Sequence, residues 1–257
     1  MRHACLSRAF QTTRTPLLPP LSKIHRIDDN IHVMNELSST DIAVWHSALD
    51  NAPEQLPHYL TLLSVYERAR AERFRQPLHR QRFIAARGQL RLLLSQYLEQ
   101  PPEQITINDG EHGKPYISDS RLQFNLAHVN DAMLCAFAWD HAVGIDIEDT
   151  RREIDIMTIA HTFFTTHEVM QLEMYGSDEQ RQLFFDLWTR KEAYLKARGI
   201  GLKFDGLNTP IPADSTSFLA NDGTQWSIVS FSPTPHLRAA LVTSAPTLSM
   251  QLHVFNP

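Results

Sequence analysis

The sequence predicts an α+β protein made of two similar halves, and the order of its predicted elements is the main reason. Twice along the chain, apolar residues at helical spacing are followed by short runs of β-branched, alternating residues. Helices followed by antiparallel strands are typical of α+β folds. The length of 257 residues is sufficient for one large domain or two small ones. We expect halves at 34–140 and 141–257, after an N-terminal extension at 1–33.

The first half is predicted to begin with an apolar strand at 41–45, followed by helices at 56–63 and 65–98 with a break near Pro77. The last helix carries a core-facing stripe of Phe83, Ala86, Leu90, Leu93, Leu94 and Tyr97. Strands are then expected at 105–107, 123–126, 132–139 and 143–147. Because Asp140 and His141 form a tight turn, the last two of these strands should make a hairpin.

The second half is predicted to repeat this plan after the 143–147 strand. Helical patterns occupy 154–164, 166–175 and 178–198. Strand patterns follow at 226–231, 237–242 and 251–255. The halves share the order of their elements, although no repeat is visible in the residues themselves.

The composition is ordinary for a globular protein and excludes several classes, with 42% hydrophobic and 21% charged residues. A net charge of −5 argues against a protein whose whole surface binds nucleic acid. The two cysteines, Cys5 and Cys135, supply neither a disulfide framework nor a zinc cluster, which favours a reducing, cytoplasmic setting. No apolar run approaches about 18 residues, so we expect no membrane span.

The first 33 residues are predicted to be a disordered extension. Residues 1–26 include five basic and no acidic side chains, and Pro16, Pro19 and Pro20 break any helix. This composition also resembles an organellar transit peptide. An upstream start codon, with Met34 as the true start, is a further alternative.

The first candidate site is the segment Gly144 to Glu148. On a strand, residues two apart point to the same face, so Asp146 and Glu148 project together while Ile145 and Ile147 face the core. Two adjacent carboxylates repel each other, and a cation relieves that repulsion. Their hard oxygen atoms suit Mg²⁺, which usually also accepts phosphate oxygens. A solvated strand face is the alternative.

The second candidate site lies on the predicted helix at 178–198. Its apolar stripe consists of Phe184, Leu187, Trp188 and Leu195. Glu192 and Lys196 are four residues apart at the edge of this stripe, where a surface ion pair worth about 0.3–0.5 kcal/mol is the alternative. Gly199 and Gly201 then end the helix in a tight connection.

Basic residues of the first half are candidates for binding anions. Lys114 lies in a Gly/Pro turn and His128 directly after a strand, where each could meet phosphate. Arg82 and Arg87 flank the apolar helix stripe and could reach into a cleft. They belong to an arginine-rich region formed by Arg68, Arg70, Arg73, Arg75, Arg80, Arg82, Arg87 and Arg91. A solvated helix face and an RNA-binding face are the alternatives there, although few aromatic residues are available to stack bases.

A zinc site at His161 and His167 is not expected. A spacing of six residues does not match an ordinary helical pair of zinc ligands.

Taken together, these motifs resemble the phosphopantetheinyl transferase superfamily. The motifs that carry the resemblance are Gly-Ile-Asp-Ile-Glu at 144–148, Phe163-Phe164 with Glu168, and Trp-x-x-Lys-Glu-Ala-x-x-Lys-x-x-Gly-x-Gly-Leu at 188–202. Similarity to the single-chain, Sfp-type branch comes from the Arg-Phe repeat at 73–83, Gly-Lys-Pro at 113–115 and Phe-Asn-Leu-Ala-His at 124–128. The resemblance extends over about residues 41–243. It implies two halves related by a pseudo-twofold axis, with the active site in the cleft between them.

The resemblance also implies roles for individual residues. The metal ligands would be Asp146, Glu148 and Glu192. The catalytic residues would be Glu192, Lys196 and Asp146, with Lys196 near the pyrophosphate. Coenzyme A would be bound by Arg82, Arg87, Lys114, Pro115, His128, Lys191 and Lys196. The segment 163–168 would lie near the acceptor.

The activity implied is the Mg²⁺-dependent transfer of 4′-phosphopantetheine from coenzyme A to a serine of an apo acyl or peptidyl carrier protein. Adenosine 3′,5′-bisphosphate would leave, and either Glu192 or a metal-bound water would take the serine proton. A monomer without nucleic-acid or membrane partners is expected. Many relatives have Ser where this chain has Ala127, so one hydrogen bond to phosphate, worth about 0.5–1.5 kcal/mol, is lost. A homologue that binds coenzyme A or carrier without catalysis is the alternative.

Overall fold

The computed structural model describes residues 24–27, 37–38, 41–50, 53–201 and 209–256. Within the predicted disordered extension, Ile24–Ile27 form a strand, β1, so the prediction is wrong for these residues. They pair in parallel with a strand near the C-terminus, β11 at Ser249–Val254, which supplies the hydrogen-bond partners that order the backbone. The rest of the extension at 1–23 and 28–33, including Cys5, lies outside the described residues, as does Leu202.

The described residues of the first half form one long strand, three α-helices and four further strands. These are β2 (Asp41–Ala48), α1 (Leu56–Leu62), α2 (Val65–Glu72), α3 (Pro77–Leu98), β3 (Asn108–Asp109), β4 (Pro115–Tyr116), β5 (Leu122–Val129) and β6 (Ala132–Trp139). The predicted break in the helical region is confirmed, because α2 ends before Pro77 and α3 begins there.

The second half has the same order of elements. These are β7 (Val143–Asp149), α4 (Ile156–Phe163), α5 (Thr166–Glu173), α6 (Ser177–Arg198), β8 (Ser217–Leu219), β9 (Gln225–Phe231), β10 (Leu237–Thr243) and finally β11. The predicted helices and strands of this half are confirmed to within a few residues at each end.

Two main sheets show the same strand order in the two halves. The first is β1-β11-β2-β6-β5 and the second is β7-β10-β9-β8. In the first half, β2 pairs with β6, and β6 pairs with β5 on its other edge. In the second half, β7 pairs with β10, and β10 pairs with β9 in the same way. The α+β prediction with two similar halves is therefore confirmed.

Three details of the sequence prediction are wrong. β6 and β7 do not form a hairpin, because the turn that starts at Asp140 (φ 63°) sends the chain into the second sheet, where β7 pairs with β10. Ile105 lies outside the strands. Its side chain is buried, and its carbonyl accepts a hydrogen bond from the Arg91 side chain in place of a strand partner. β11, assigned to the half 141–257, lies in the first sheet beside β2, where Met250 and Leu252 are buried.

The helix stripes predicted from the sequence pack into the core. On α3, Leu90, Leu93 and Leu94 are fully buried against the first sheet, and on α6 Phe184 and Leu187 are buried in the second half. These contacts set the positions of the polar residues on the remaining faces of the two helices.

Two other residues of the first half correct or confirm sequence interpretations. Arg91 is buried and forms an ion pair with Glu67 at 2.7 Å, so it does not belong to a solvated or RNA-binding arginine face. Cys135 is a buried free thiol whose pKa is raised to about 12 by burial, as an inert core cysteine requires. Among the described helices, none has the length and apolar character needed to cross a membrane.

Candidate active site

The site begins with the close approach of β7 to α6, which Gly144 allows. A Cβ atom at Gly144 would lie 2.1 Å from the carbonyl oxygen of Ala193 and 2.2 Å from the amide nitrogen of Ala197. Ile145 and Ile147 are buried in the core between the sheets. The glycine therefore lets the strand that bears the two acidic residues lie directly against α6.

Lys196 of α6 faces this strand. Lys196 Nζ lies 2.6 Å from Asp146 Oδ1, so the two candidate motifs meet in an ion pair. The helix ends just beyond, where Gly199 adopts φ 66° and its N–H donates to the carbonyls of Leu195 and Lys196. The left-handed conformation explains why glycine occupies this position.

Glu148 lies on the same side of β7 as Asp146 and is held by two partners. Trp188 Nε1 donates to its carboxylate at 3.2 Å, and the guanidinium of Arg152 lies 3.6 Å away. Trp188 in turn stacks on Phe184 and meets Phe163 edge to face. The aromatic cluster thus fixes the orientation of one acidic residue of the motif.

All three carboxyl groups have raised pKa values, with burial as the largest cause in each. Burial is the largest cause of the raised pKa of Asp146, and Lys196 opposes it. The pKa of Glu148 is raised by burial and then by the charge of Asp146. Burial, followed by Asp146 and, more weakly, Glu148, raises the pKa of Glu192 to about 7. The charge of Asp146 destabilises both glutamate carboxylates, as expected of acidic groups that share one small region.

The carboxylate oxygens of Asp146, Glu148 and Glu192 are chemically suited to bind a divalent cation. Asp146 is 5% exposed, and its Oδ2 atom has no hydrogen-bond partner within the described part of the chain. A buried carboxylate oxygen without a donor, beside two further carboxylates, is suited to a hard cation. Three potential ligands are nowhere already arranged around one point among residues 37–38, 41–50, 53–201 and 209–256. In this structure the ammonium of Lys196 neutralises the Asp146 carboxylate.

A cavity of about 480 Å³ opens where the halves meet. Its walls come from α3, β5 and the Gly-Lys-Pro turn of the first half, and from α6 of the second. The polar residues among those that line it are Arg87, His112, Lys114, Asn125, His128, Glu192 and Lys196. The predicted cleft between the halves is present, and it brings together four of the six basic residues that the resemblance assigned to coenzyme A, namely Arg87, Lys114, His128 and Lys196.

Arg87 gives the first-half wall a positive charge. It has no ion-pair partner among the described residues, and burial lowers its pKa. The pKa of His128 is lowered by desolvation in the cavity mouth and then by the charges of Lys196, Arg87 and Arg82. These causes disfavour the protonated imidazole in the free protein, and a bound anionic ligand would favour it.

Two residues predicted to bind coenzyme A have other partners. Arg82 makes a two-pronged contact with Asp50, at 2.8 and 2.6 Å, and does not line the cavity. Lys191 is 1% exposed, forms an ion pair with Glu168 at 2.9 Å and donates to the carbonyl of Thr209. The structure does not support the assignment of Lys191 to the ligand, because its ammonium is buried among protein acceptors and the residue does not line the cavity.

Glu168 also has a structural environment. It is buried and accepts hydrogen bonds from the N–H groups of Thr165 and Ile211 in addition to the Lys191 contact. The carboxylate therefore caps α5 and ties it to α6 and to the segment at 209–211, away from the acidic cluster.

Sequence reasoning missed several residues of the site. His112 and Asn125 line the cavity, and Asn125 Oδ1 accepts the N–H of Ile145 at 2.9 Å. Gly199 and Gly201 also form part of the wall, beyond their predicted role of ending the helix. His112 lies next to the Gly-Lys-Pro motif and Asn125 inside Phe-Asn-Leu-Ala-His, so proximity to those motifs was the available signal.

The fold and the cavity define a protein whose two halves enclose a site with both carboxylates and cations. Comparison with known families gives two matches that follow one another. Residues 48–139 match the family described as 4′-phosphopantetheinyl transferase, N-terminal, and residues 142–242 match the 4′-phosphopantetheinyl transferase superfamily.

Curated relatives agree with these matches. The chain is 35% identical over 213 residues to the 4′-phosphopantetheinyl transferase HetI of Nostoc sp., which covers 81% of this chain and 90% of the relative. It is 33% identical to psf-1 of Bacillus pumilus (67% and 71% covered) and 30% identical to Sfp of Bacillus subtilis (68% and 74% covered), both named 4′-phosphopantetheinyl transferases. The chain belongs to the 4′-phosphopantetheinyl transferase superfamily, a family of transferases, as its motifs predict.

Proposed function

We propose that this enzyme transfers the 4′-phosphopantetheine group of coenzyme A to a serine hydroxyl of an apo acyl or peptidyl carrier protein. The observation that carries the proposal is that Glu192 and Lys196 of the second half line the same cavity as Arg87 and His128 of the first. Coenzyme A is a polyanion with a diphosphate, and this cavity offers cations on one wall and an acid–base group on the other. A monomer acting in the cytoplasm remains our prediction.

The chemistry is a substitution at phosphorus. The serine oxygen forms a bond to the β-phosphorus of coenzyme A, the bond from that phosphorus to the bridging oxygen breaks, and adenosine 3′,5′-bisphosphate leaves with the electron pair. Such a step depends on positioning and on neutralising charge more than on covalent help from the protein. The residues of the cavity are suited to both tasks.

Glu192 is the residue that we propose takes the serine proton. Its pKa of about 7 means that a large fraction is ionised near neutral pH while its basicity is higher than that of an ordinary carboxylate. Lys196, 2.6 Å from Asp146, would turn its positive charge toward the pyrophosphate. Arg87 and His128 would hold the phosphates at the other wall.

Asp146, Glu148 and Glu192 are the residues that would hold a magnesium ion. When bound, the ion would neutralise charge that develops on the phosphate oxygens. The unpartnered Oδ2 atom of Asp146 supports this assignment, and so do the raised pKa values of the three carboxyl groups.

The test is a transfer assay with coenzyme A, Mg²⁺ and a panel of apo carriers from fatty-acid, polyketide and nonribosomal-peptide systems. We expect at least one carrier to gain the mass of one phosphopantetheine group, read by intact-protein mass spectrometry. If the chain binds coenzyme A by calorimetry but modifies no carrier, the catalytic proposal is wrong and a binding homologue is the better interpretation.

A second variant tests how the first-half wall of the cavity binds coenzyme A, separately from the catalytic step. Arg87→Met removes an unpaired cation of the cavity while keeping most of the side-chain volume. We expect the KM for coenzyme A to rise about tenfold, because one charge-assisted hydrogen bond is worth about 1.5–3 kcal/mol. An unchanged KM would remove Arg87 from the proposed binding wall.

A further inference from the structure

The ammonium group of Lys114 already has two protein acceptors. Nζ donates to the carbonyl of Val143 and to the carbonyl of Ala197, each at 3.0 Å. Its side chain passes beside Gly199, where an added Cβ would lie 3.5 Å from Lys114 Cδ. A residue of the first half therefore spans the boundary and holds two backbone segments of the second half together.

The first acceptor lies on the unpaired edge of β7. Among the described strands, this one lies at the end of its sheet with only β10 beside it, so the backbone groups on its other edge need partners. Lys114 serves the carbonyl of Val143, and Asn125 Oδ1 accepts the N–H of Ile145 at 2.9 Å. Residues two apart on a strand direct these groups to the same side, so two first-half side chains hold the edge next to Asp146.

The second acceptor lies in the last turn of α6. The last four carbonyls of a helix have no partner within the helix, and a cation at this end also interacts favourably with the helix dipole. Ala197 is one of these residues and directly follows Lys196. Lys114 thus acts as a cap on the helix end that presents Lys196 to Asp146.

We propose that Lys114 is a positioning residue, which fixes the edge of β7 to the end of α6 and so aligns Asp146 with Lys196 and Glu192. This inference rests on the function proposed above and changes the role of Lys114 from an anion ligand to an aligning contact. Turning the ammonium toward a phosphate would leave two carbonyls without donors, which costs more than one new contact returns. Burial lowers the pKa of Lys114 to about 8, because desolvation disfavours its charged form.

The first experiment separates alignment from binding by kinetics. Lys114→Met keeps the aliphatic stem and removes the donors, and Arg87→Met is the matched loss of a cation on the same cavity wall. We expect Lys114→Met to lower kcat at least about tenfold while KM for coenzyme A changes less than about threefold, because small displacements of catalytic groups reduce rate more than binding. Lys114→Arg, which can still donate to both carbonyls, should recover most of the lost kcat.

The opposite split would overturn the proposal. If Lys114→Met raises KM for coenzyme A about tenfold with kcat unchanged, as a lost ligand would, Lys114 binds the substrate directly. A simple loss of folded protein is recognised by titrating active sites and by the unfolding midpoint, since kcat is expressed per folded molecule.

Hydrogen–deuterium exchange tests the same contact without any assay of activity. In Lys114→Met, peptides from 143–149 and 192–201 should exchange faster than in the wild type, while peptides of β2 and β6 should not change. Unchanged exchange in both segments would refute the aligning role. If the wild type modifies no carrier, the proposed function fails, but this measurement still decides whether Lys114 holds β7 to α6.

Discussion

Lys196 Nζ lies 2.6 Å from Asp146 Oδ1, which joins a helix residue to a strand residue fifty positions earlier in the chain. The partner oxygen, Oδ2, is buried and has no hydrogen-bond partner within the described residues. One lysine, 30% exposed, therefore compensates only part of the burial of this carboxylate. A buried acid kept in such an environment is typical of functional sites.

Asp146→Asn should abolish transfer without unfolding the protein. The amide has the same shape, but it cannot neutralise Lys196 or hold a cation, and loss of one electrostatic group of an active site costs about 10²–10³-fold in rate. The measurement is carrier modification at saturating coenzyme A. Asp140→Asn, at the exposed ion pair with Arg121, is the matched control and should keep wild-type rates. Near-normal transfer by Asp146→Asn would refute the metal and charge assignments together.

The stability of the metal-free protein should fall as pH rises from about 4.5 to about 7, in part because of Glu192. Its pKa is raised from 4.5 to about 7 by burial, Asp146 and Glu148. Between those values the folded state holds a proton that the unfolded chain has lost, so ionisation favours unfolding as pH increases. Chemical denaturation across this range, without added Mg²⁺, measures the slope.

Glu192→Gln isolates this contribution. The variant should show a shallower decrease in unfolding free energy between about pH 4.5 and 7, because the titrating group is gone. Glu173→Gln, at an exposed position of α5, should keep the wild-type slope. Identical slopes for the wild type and Glu192→Gln would mean that Glu192 titrates normally in the folded protein.

The sequence was sufficient to predict most helices and strands, because these depend on local patterns. Apolar stripes located α3 and α6, Pro77 and Gly199 marked two of their ends, and the alternation around Asp146 correctly predicted which side chains face the core. Pairing of strands depends on distant residues instead. The turn at Asp140 was predicted to connect a hairpin. Both edges of β6 are already paired, one with β2 and the other with β5, so β7 enters another sheet.

Local patterns also could not predict which acidic residue each basic residue of the site contacts. Lys191 and Lys196 belong to the same helical motif, but the first points into the core toward Glu168 and the second toward Asp146. Arg82 forms an ion pair with Asp50, and the position of Asp50 depends on how the chain leaves β2. Spacing on a helix specifies the face of a residue and leaves open which acceptor the fold places there.

Gly144→Ala should strongly destabilise the protein. The added methyl group would lie 2.1 Å from Ala193 O and 2.2 Å from Ala197 N, so β7 and α6 would have to separate. Both clashing atoms belong to the backbone and cannot rotate away, which places the cost at about 3 kcal/mol, the upper part of the range for overpacked cores. Urea unfolding measures the loss.

Gly176→Ala is the matched control, because a Cβ at Gly176 would meet no atom within 4 Å and φ is −70° there. Because Ala is less favourable than Gly at an N-cap, the variant should cost about 1 kcal/mol or less. If Gly144→Ala unfolds at the wild-type urea concentration, β7 does not lie as close to α6 as the structure has it.

Lys191→Met should reduce stability and leave coenzyme A binding unchanged. Removing the ammonium leaves Glu168 buried at 3% exposure without its cation, and breaking one side of a buried pair costs about 3–5 kcal/mol. The double variant Lys191→Met/Glu168→Gln should be more stable than Lys191→Met alone, since no uncompensated charge remains. Arg121→Met, in an exposed pair, should cost less than about 1 kcal/mol. The measurements are urea unfolding and the KM for coenzyme A under conditions where every variant is folded. A KM raised about tenfold, with the unfolding free energy unchanged, would return Lys191 to the coenzyme A site that its motif suggested.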